Sequence, residues 1–176
     1  TDDDNLPMDN WDHCLGLDLK SIRAVLKPKI FNVYSKFTNE KVWPRGFPLN
    51  HITKNSRIIS RKIKNPKIGI WQGLTNNDPD VDAIYRLTQN KKINFKKGHL
   101  VLNSNVFCPF NSQDTFWSNE FFMYMYLPVS VTFRMTDILR GYVAQRCLWE
   151  HNAHLGFFGP NMIQLRNKHD LLNDFP

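Results

Sequence analysis

Thr1-Asp2-Asp3-Asp4-Asn5-Leu6-Pro7 opens the chain, and how these seven residues are read decides how the rest is read. Three successive carboxylates are, in most sequences, a solvated acidic terminus. Two facts point the other way here. The first methionine is Met8, so the protein is expected to continue upstream of Thr1. The 176-residue sequence also carries a net charge of +7, against which an acidic triplet stands out. Hard oxygen ligands grouped on one short turn suit Mg²⁺ or Mn²⁺, which keep water and substrate phosphate in their remaining positions.

Composition sets the outer bounds. A hydrophobic share of 41% with 5 Trp and 13 Phe describes a packed domain and excludes a disordered chain. No apolar run approaches the ~18 residues needed to span a bilayer. Cys14, Cys108 and Cys147 follow no zinc spacing, although one disulfide among them is open. Basic residues gather in Lys54, Arg57, Arg61, Lys62, Lys64 and Lys67, and again in Lys91, Lys92, Lys96 and Lys97. Neither run interleaves the aromatics of a single-strand platform, so both read as solvated loop surface and nucleic acid is not expected as a partner.

Outward from the triplet, no repeat or flexible linker divides residues 1–176, which read as a single domain. Val42-Trp43-Pro44-Arg45-Gly46-Phe47-Pro48-Leu49 has to be a loop, because two prolines and a glycine exclude regular structure. Its aromatics either pin it to the core or line a pocket. Residues 68–74 read as a strand. Asp78 before Pro79 then predicts a helix N-cap, with Val81, Ile84, Tyr85 and Thr88 at helical spacing. Asp80 and Asp82 add more acid than capping requires, and so become candidate binding residues.

Residues 99–107 have the apolar rhythm of a strand, and residues 120–127, dense in aromatics and Met, read as core. Residues 128–133 alternate as a strand. Thr136 is expected to cap a helix running from Asp137 to about Trp149, with Ile138, Leu139, Tyr142, Val143 and Cys147 buried and Gly141 allowing close packing. That placement puts Asp137 at the carboxyl end of a strand, where open α/β sheets bind ligands and where an acid can accept a proton from a hydroxyl. Arg134 and Arg140 flank it as candidate phosphate contacts. His151 and His154, after this helix, could supply a further metal ligand. An apolar piece at residues 155–158 leads through Gly159-Pro160 to residues 162–165.

The ordered blocks Thr1-Asp-Asp-Asp-Asn5, Trp43-Pro-Arg-Gly-Phe-Pro48, Gln72-Gly-Leu74, Asp78-Pro-Asp-Val-Asp-Ala-Ile-Tyr-Arg-Leu-Thr88, Pro109-Phe-Asn-Ser-Gln113 and the long run from Leu127 to Arg146 resemble the STELLO family. These are Golgi glycosyltransferases known in plants for association with cellulose synthase. A fainter similarity runs to the reversibly glycosylated polypeptides, or UDP-arabinopyranose mutases. The resemblance implies an α/β fold, the acceptor-side, C-terminal part of a GT-A-like nucleotide-sugar transferase domain with a mixed sheet, its nucleotide-binding strands lying upstream of the triplet. It also implies roles. Asp2 and Asp4 would hold a divalent metal, Mn²⁺ or Mg²⁺, on a UDP-sugar donor. Arg45 and Gly46 would lie against the donor, and Asp137 would be the catalytic carboxylate near a glycan or protein acceptor. Asp80, Asp82, Arg134 and Arg140 complete the expected substrate contacts. A lumenal Golgi membrane setting and a polysaccharide synthase complex as partner come with the resemblance. A non-catalytic assembly module and a sugar-nucleotide mutase are the alternatives.

Overall fold

The longest strand organises the molecule. In the computed structural model, which describes residues 4–9, 11–54, 56–89 and 91–165, Ala153–Gln164 form a twelve-residue strand that is buried along nearly all its length. Numbered in chain order the strands are β1 (Asn5–Pro7), β2 (Ile22–Lys27), β3 (Ile59–Ile63), β4 (Lys67–Asn76), β5 (Gly98–Leu102), β6 (Thr115–Trp117) and β7 (Ala153–Gln164), with helices α1 (Ala83–Thr88) and α2 (Thr136–Glu150). They make one seven-stranded mixed sheet in the order β3-β2-β5-β7-β4-β6, and β1 pairs with the far end of β7. β7 runs parallel to β4 and antiparallel to β5 and β1. A strand buried on both faces has no polar alternation to show, which is why residues 155–158 of β7 read only as an apolar piece.

Side-chain alternation splits the core into two layers. Val25, Ile70, Leu74, Leu100, Leu102, Leu155 and Phe157 face α2 and the loops around Phe31 and Phe110. Ile22, Ala24, Trp71, Val101 and Phe158 face the opposite way and are covered by the turn holding Cys14. α2 packs closely on the first layer at Gly141, where a Cβ would lie 2.6 Å from the Phe110 carbonyl oxygen. The three cysteines are free, and burial pushes the Cys14 and Cys108 thiols up to about 12.

Several expected elements fall elsewhere. Residues 128–133 are not a strand. Their alternation finds no neighbouring strand, so the segment stays a bend running into a single 3-10 turn, Phe133–Met135. Residues 120–127 are not core either. Only Phe121 is buried, while Phe122, Met123, Tyr126 and Leu127 are exposed along a 3-10 turn, Asn119–Met125, and the two residues after it. The buried face of α2 is Ile138, Arg140, Gly141, Ala144, Gln145 and Leu148, and Leu139 and Val143 point outward. The polar Gln145 holds that face in register, bonding both the amide and the carbonyl of Cys108 at 3.1 and 2.7 Å. The basic run at residues 54–67 includes a real edge strand, β3, antiparallel to β2. Lysine and arginine on such an edge discourage pairing with other chains.

Candidate functional site

Arg45 sits at the centre of the polar cluster. Its loop is pinned by Phe47, which is buried, and by Trp43, packed edge-on against Tyr85 with ring centroids 5.9 Å apart. The aromatics therefore anchor the loop. Gly46 takes φ +78°, and a Cβ there would meet Ile138 Cγ2 at 2.4 Å, so glycine is required both by the backbone and by the approach of α2. Tyr142 fastens the turn by donating to the Gly46 carbonyl at 3.1 Å.

Held in this way, the guanidinium lies between two carboxylates. Arg45 Nε donates to both oxygens of Asp80 at 2.9 Å, and Nη2 lies 2.8 Å from Asp80 Oδ2 and 2.8 Å from Asp137 Oδ2. Nη1 donates to the Arg134 carbonyl. Burial opposes the positive charge, but Asp80 and then Asp137 outweigh it, and the Arg45 pKa lies above the ordinary guanidinium range. Asp137 Oδ2 also accepts from Ser112 N at 3.2 Å, and Oδ1 accepts from Ile138 N at 3.0 Å. Asp137 thus belongs to the first turn of a helix entered from a 3-10 turn, not to the end of a sheet strand. Thr136 does not cap α2 with its side chain; its hydroxyl donates back to the Phe133 carbonyl at 2.8 Å.

A second chain of bonds leads from Asp80 to the acidic start of the sequence. Asp80 N donates to Gln113 Oε1 at 3.0 Å, and Gln113 Nε2 donates to Gln164 Oε1. Gln164 Nε2 in turn reaches both carboxylate oxygens of Asp4 at 3.0 Å. Asp4, Asp80, Arg45 and Asp137 are therefore joined in one continuous network. The loop at residues 111–113 is its hub: Asn111 N is held by Gln72 Oε1 at 3.1 Å, and Asn5 Nδ2 donates to the Gln113 carbonyl at 2.8 Å.

The remaining candidates fall in different places. Arg140 is buried, donates Nη2 to Ser112 Oγ at 3.1 Å and lies over the Trp117 ring with its guanidinium carbon 5.2 Å from the centroid. Burial lowers its pKa, and Asp137 partly offsets this. Arg134 joins the cluster through its carbonyl, and its side chain is exposed. Asp82 does not face Arg45; it is the N-cap of α1, accepting from Ile84 N at 2.9 Å. Asp78, expected to be that cap, instead pairs with Arg86. His154 Nδ1 bonds the Leu102 carbonyl at 3.0 Å and His151 Nε2 lies 2.9 Å from the Tyr124 hydroxyl. Asp2 lies outside the described residues. Among those described, no group of three His, Cys, Asp or Glu is placed to hold a metal ion. Ser112, Gln113 and Gln164 complete the site without having been singled out from the sequence.

Fold and site together define a mixed α/β domain in which loops at one end of the sheet gather carboxylates around an arginine. No family model matches the chain. Two curated proteins of Arabidopsis thaliana do. The probable glycosyltransferase STELLO2 is 29% identical over 155 residues, covering 84% of this chain and 20% of that protein. The probable glycosyltransferase STELLO1 is 32% identical over 139 residues, covering 74% and 18%. Over these residues the chain is similar in sequence to the STELLO proteins, and it spans about a fifth of the length of the curated relatives it matches.

Proposed function

We propose that this chain is the acceptor-side part of a metal-dependent, GT-A-like glycosyltransferase that moves a sugar from a nucleotide-sugar donor, a UDP-sugar, to a glycan or protein acceptor. The observation that carries the reading is the single network joining Asp4 to Asp80, Arg45 and Asp137. The names of the two relatives give the reaction class.

The donor set at Asp4 fits a hard divalent cation. Its two carboxylate oxygens share one amide donor, Gln164 Nε2, which leaves lone pairs on both, and Mn²⁺ or Mg²⁺ takes one or two protein carboxylates beside water and phosphate. Asp4, with Asp2 beside it in sequence, would hold that ion, which supplies charge neutralisation to a departing diphosphate. The chain's own residues do the rest. Gln164 and Gln113 fix Asp4 relative to Asp80. Arg45 orients Asp137 by engaging Oδ2 and leaves Oδ1, bonded only to Ile138 N, to take the proton of an acceptor hydroxyl. The second carboxylate, Asp80, has both oxygens engaged by Arg45 and is not free to attack, which supports transfer in one inverting displacement. Gly46 and Arg140 hold the walls of the site, and Arg134 is the exposed cation at its rim.

In the full-length protein with Mn²⁺ and a UDP-sugar, Asp137→Asn is expected to lower turnover about 10²–10⁴-fold. Asp80→Asn, which also removes one carboxylate from Arg45, serves as the structural control and keeps most of kcat. Equal kcat losses in both variants would make Asp137 a scaffold residue and remove the base.

A second reading, a non-catalytic module docking on a polysaccharide synthase, is favoured by the exposed run of Phe122, Met123, Tyr126, Leu127, Val129 and Phe133. Partner capture that survives Asp137→Asn but is lost on Tyr126→Asp/Phe133→Asp would favour it. UDP-sugar rearrangement without any acceptor would favour a mutase. The resemblance alone speaks for a lumenal Golgi setting.

A further inference from the structure

A cavity of about 450 Å³ opens on the other side of the Asp78–Asp82 segment from Arg45. Asp80 turns its carboxylate to Arg45, while Asp78, Pro79 and Val81 line the cavity. Its position is the first argument. Asn77 and Leu165, both in its wall, directly follow β4 and β7, the parallel pair at the centre of the sheet. The crevice outside the carboxyl ends of parallel strands is where such sheets bind ligands.

Charge is the second argument. Lys91, Lys92 and Arg86 line the cavity against one acid, Asp78, and that acid is paired with Arg86. Among the described residues no carboxylate pairs with Lys91 or Lys92. The chain directly after the two lysines is also held in place. The next residue, Ile93, exchanges both backbone bonds with Asn77, at 2.8 and 2.9 Å, and Phe95 N donates to Asn76 Oδ1 at 2.9 Å. The backbone that carries the two exposed lysines is thus tied to the end of β4.

Size and lining supply the third. The volume falls within the ~300–1,000 Å³ of small-molecule pockets and suits one or two sugar rings. Buried Val81, Ile93 and Tyr85 offer an apolar wall for a ring face, and the Tyr85 hydroxyl is buried without a hydrogen-bond partner. Gln164, which also lines the cavity, donates to Asp4 and ties the space to the acidic clamp.

We infer that this cavity is a binding site for a sugar-sized ligand carrying an oxyanion, phosphate or carboxylate, with Lys91 and Lys92 as its counter-charges. The inference rests on the proposed transfer reaction only in taking the ligand to be a sugar. The oxyanion has two possible sources, the diphosphate of a donor or an acidic sugar on the acceptor.

The test is equilibrium binding to the full-length protein in EDTA, with inorganic pyrophosphate, glucuronic acid and glucose as probes. The double variant Lys91→Glu/Lys92→Glu is compared with Arg61→Glu/Lys62→Glu on β3, which changes total charge equally, and matched melting temperatures show that both fold. Expected is a loss of at least tenfold in affinity for pyrophosphate or for glucuronate in the first variant, and less than twofold in the second. Loss confined to pyrophosphate marks the donor end, and loss confined to glucuronate marks an acidic acceptor. Equal weakening in both variants, wild-type affinity for glucose equal to that for the anions, or no binding of either anion at millimolar concentration overturns the site. Tenfold loss of anion binding in a protein that transfers no sugar would sink the transferase reading and leave the site standing.

Discussion

Gln113 and Asp114 are neighbours in the chain and occupy opposite kinds of polar surroundings. On the Gln113 side Arg45 lies between Asp80 and Asp137, and the side-chain amides of Gln113 and Gln164 are engaged. On the Asp114 side a fully buried carboxylate has neither oxygen bonded, and Asn161 Oδ1 and Thr75 Oγ1 are unbonded too. Asn161 gives its Nδ2 to the Trp11 carbonyl at 3.0 Å, so its oxygen is what turns to Gly73, where a Cβ would meet both Asn161 Oδ1, at 2.5 Å, and Asp114 Oδ2, at 1.9 Å. Burial pushes the Asp114 carboxyl up to about 6. The contrast shows that burial of charge is tolerable where geometry supplies the partner, as it does for Arg45, and costly where it does not, as at Asp114.

The contrast breaks most sharply at Arg45. Arg45→Met leaves Asp80 and Asp137 mostly buried and facing each other, and a loss of about 3–5 kcal/mol in urea denaturation is expected. Arg45→Lys recovers only part of it, since an ammonium cannot span both carboxylates as the planar guanidinium does. A cost below about 1 kcal/mol would mean the cluster behaves as an exposed ion pair.

Asp114→Asn is expected to act in the opposite direction. Because the folded pKa is raised, from 3.8 to about 6, the wild type is most favoured below pH ~4 and loses that advantage as pH rises through about 6. The amide carries no charge to bury. The variant should therefore gain about 3 kcal/mol over wild type at pH 8, and the gain should vanish below pH ~4. Equal stability of the two proteins at pH 8 would show that Asp114 is already compensated.

A smaller effect sharpens the link between the two halves of the network. Gln113→Leu leaves Asp80 N and Gln164 without their partners, and about 2 kcal/mol of stability should go with them. The same variant should weaken Mn²⁺ binding if Gln164 positions Asp4. The smallest effect is at Asp82. Asp82→Ala removes the α1 cap at about 1 kcal/mol and should leave turnover unchanged. A large rise in KM for either substrate would return Asp82 to the site.

Much of the scaffold was legible in the sequence, because β4, β5 and α2 carry strong local signals. The failures share a cause. The alternation at residues 128–133 satisfies the strand pattern, but a strand also needs a neighbour to complete its ladder, and the chain offers none there. The aromatic run at residues 120–127 has core composition, yet the 3-10 turn that carries it sends only Phe121 inward. Asp78 satisfied the rule for an N-cap, and the competing Arg86 took it. At the site, Arg45 was visible as a charged residue in a loop, Asp80 as an excess acid near a helix start and Asp137 as an acid in the first turn of a helix. Their meeting was not, since it spans 35 and 92 positions of the chain. Gln113 and Gln164 left only a faint signal, a polar residue ending an apolar strand and another closing a loop.

The bond from Gln164 to Asp4 joins residues 160 positions apart. Within this domain Asp4 is made 160 residues before its partner, so this corner of the molecule is unfinished until β7 is laid down. Contacts of such separation come late and slow the folding of small domains. A ribosome stalled before β7 would therefore carry a chain with Arg45 and Asp80 already made and nothing to place Asp4. If Asp4 holds a metal ion as proposed, affinity for it, followed along a series of lengthening nascent chains, should appear abruptly with β7 and not build up in steps.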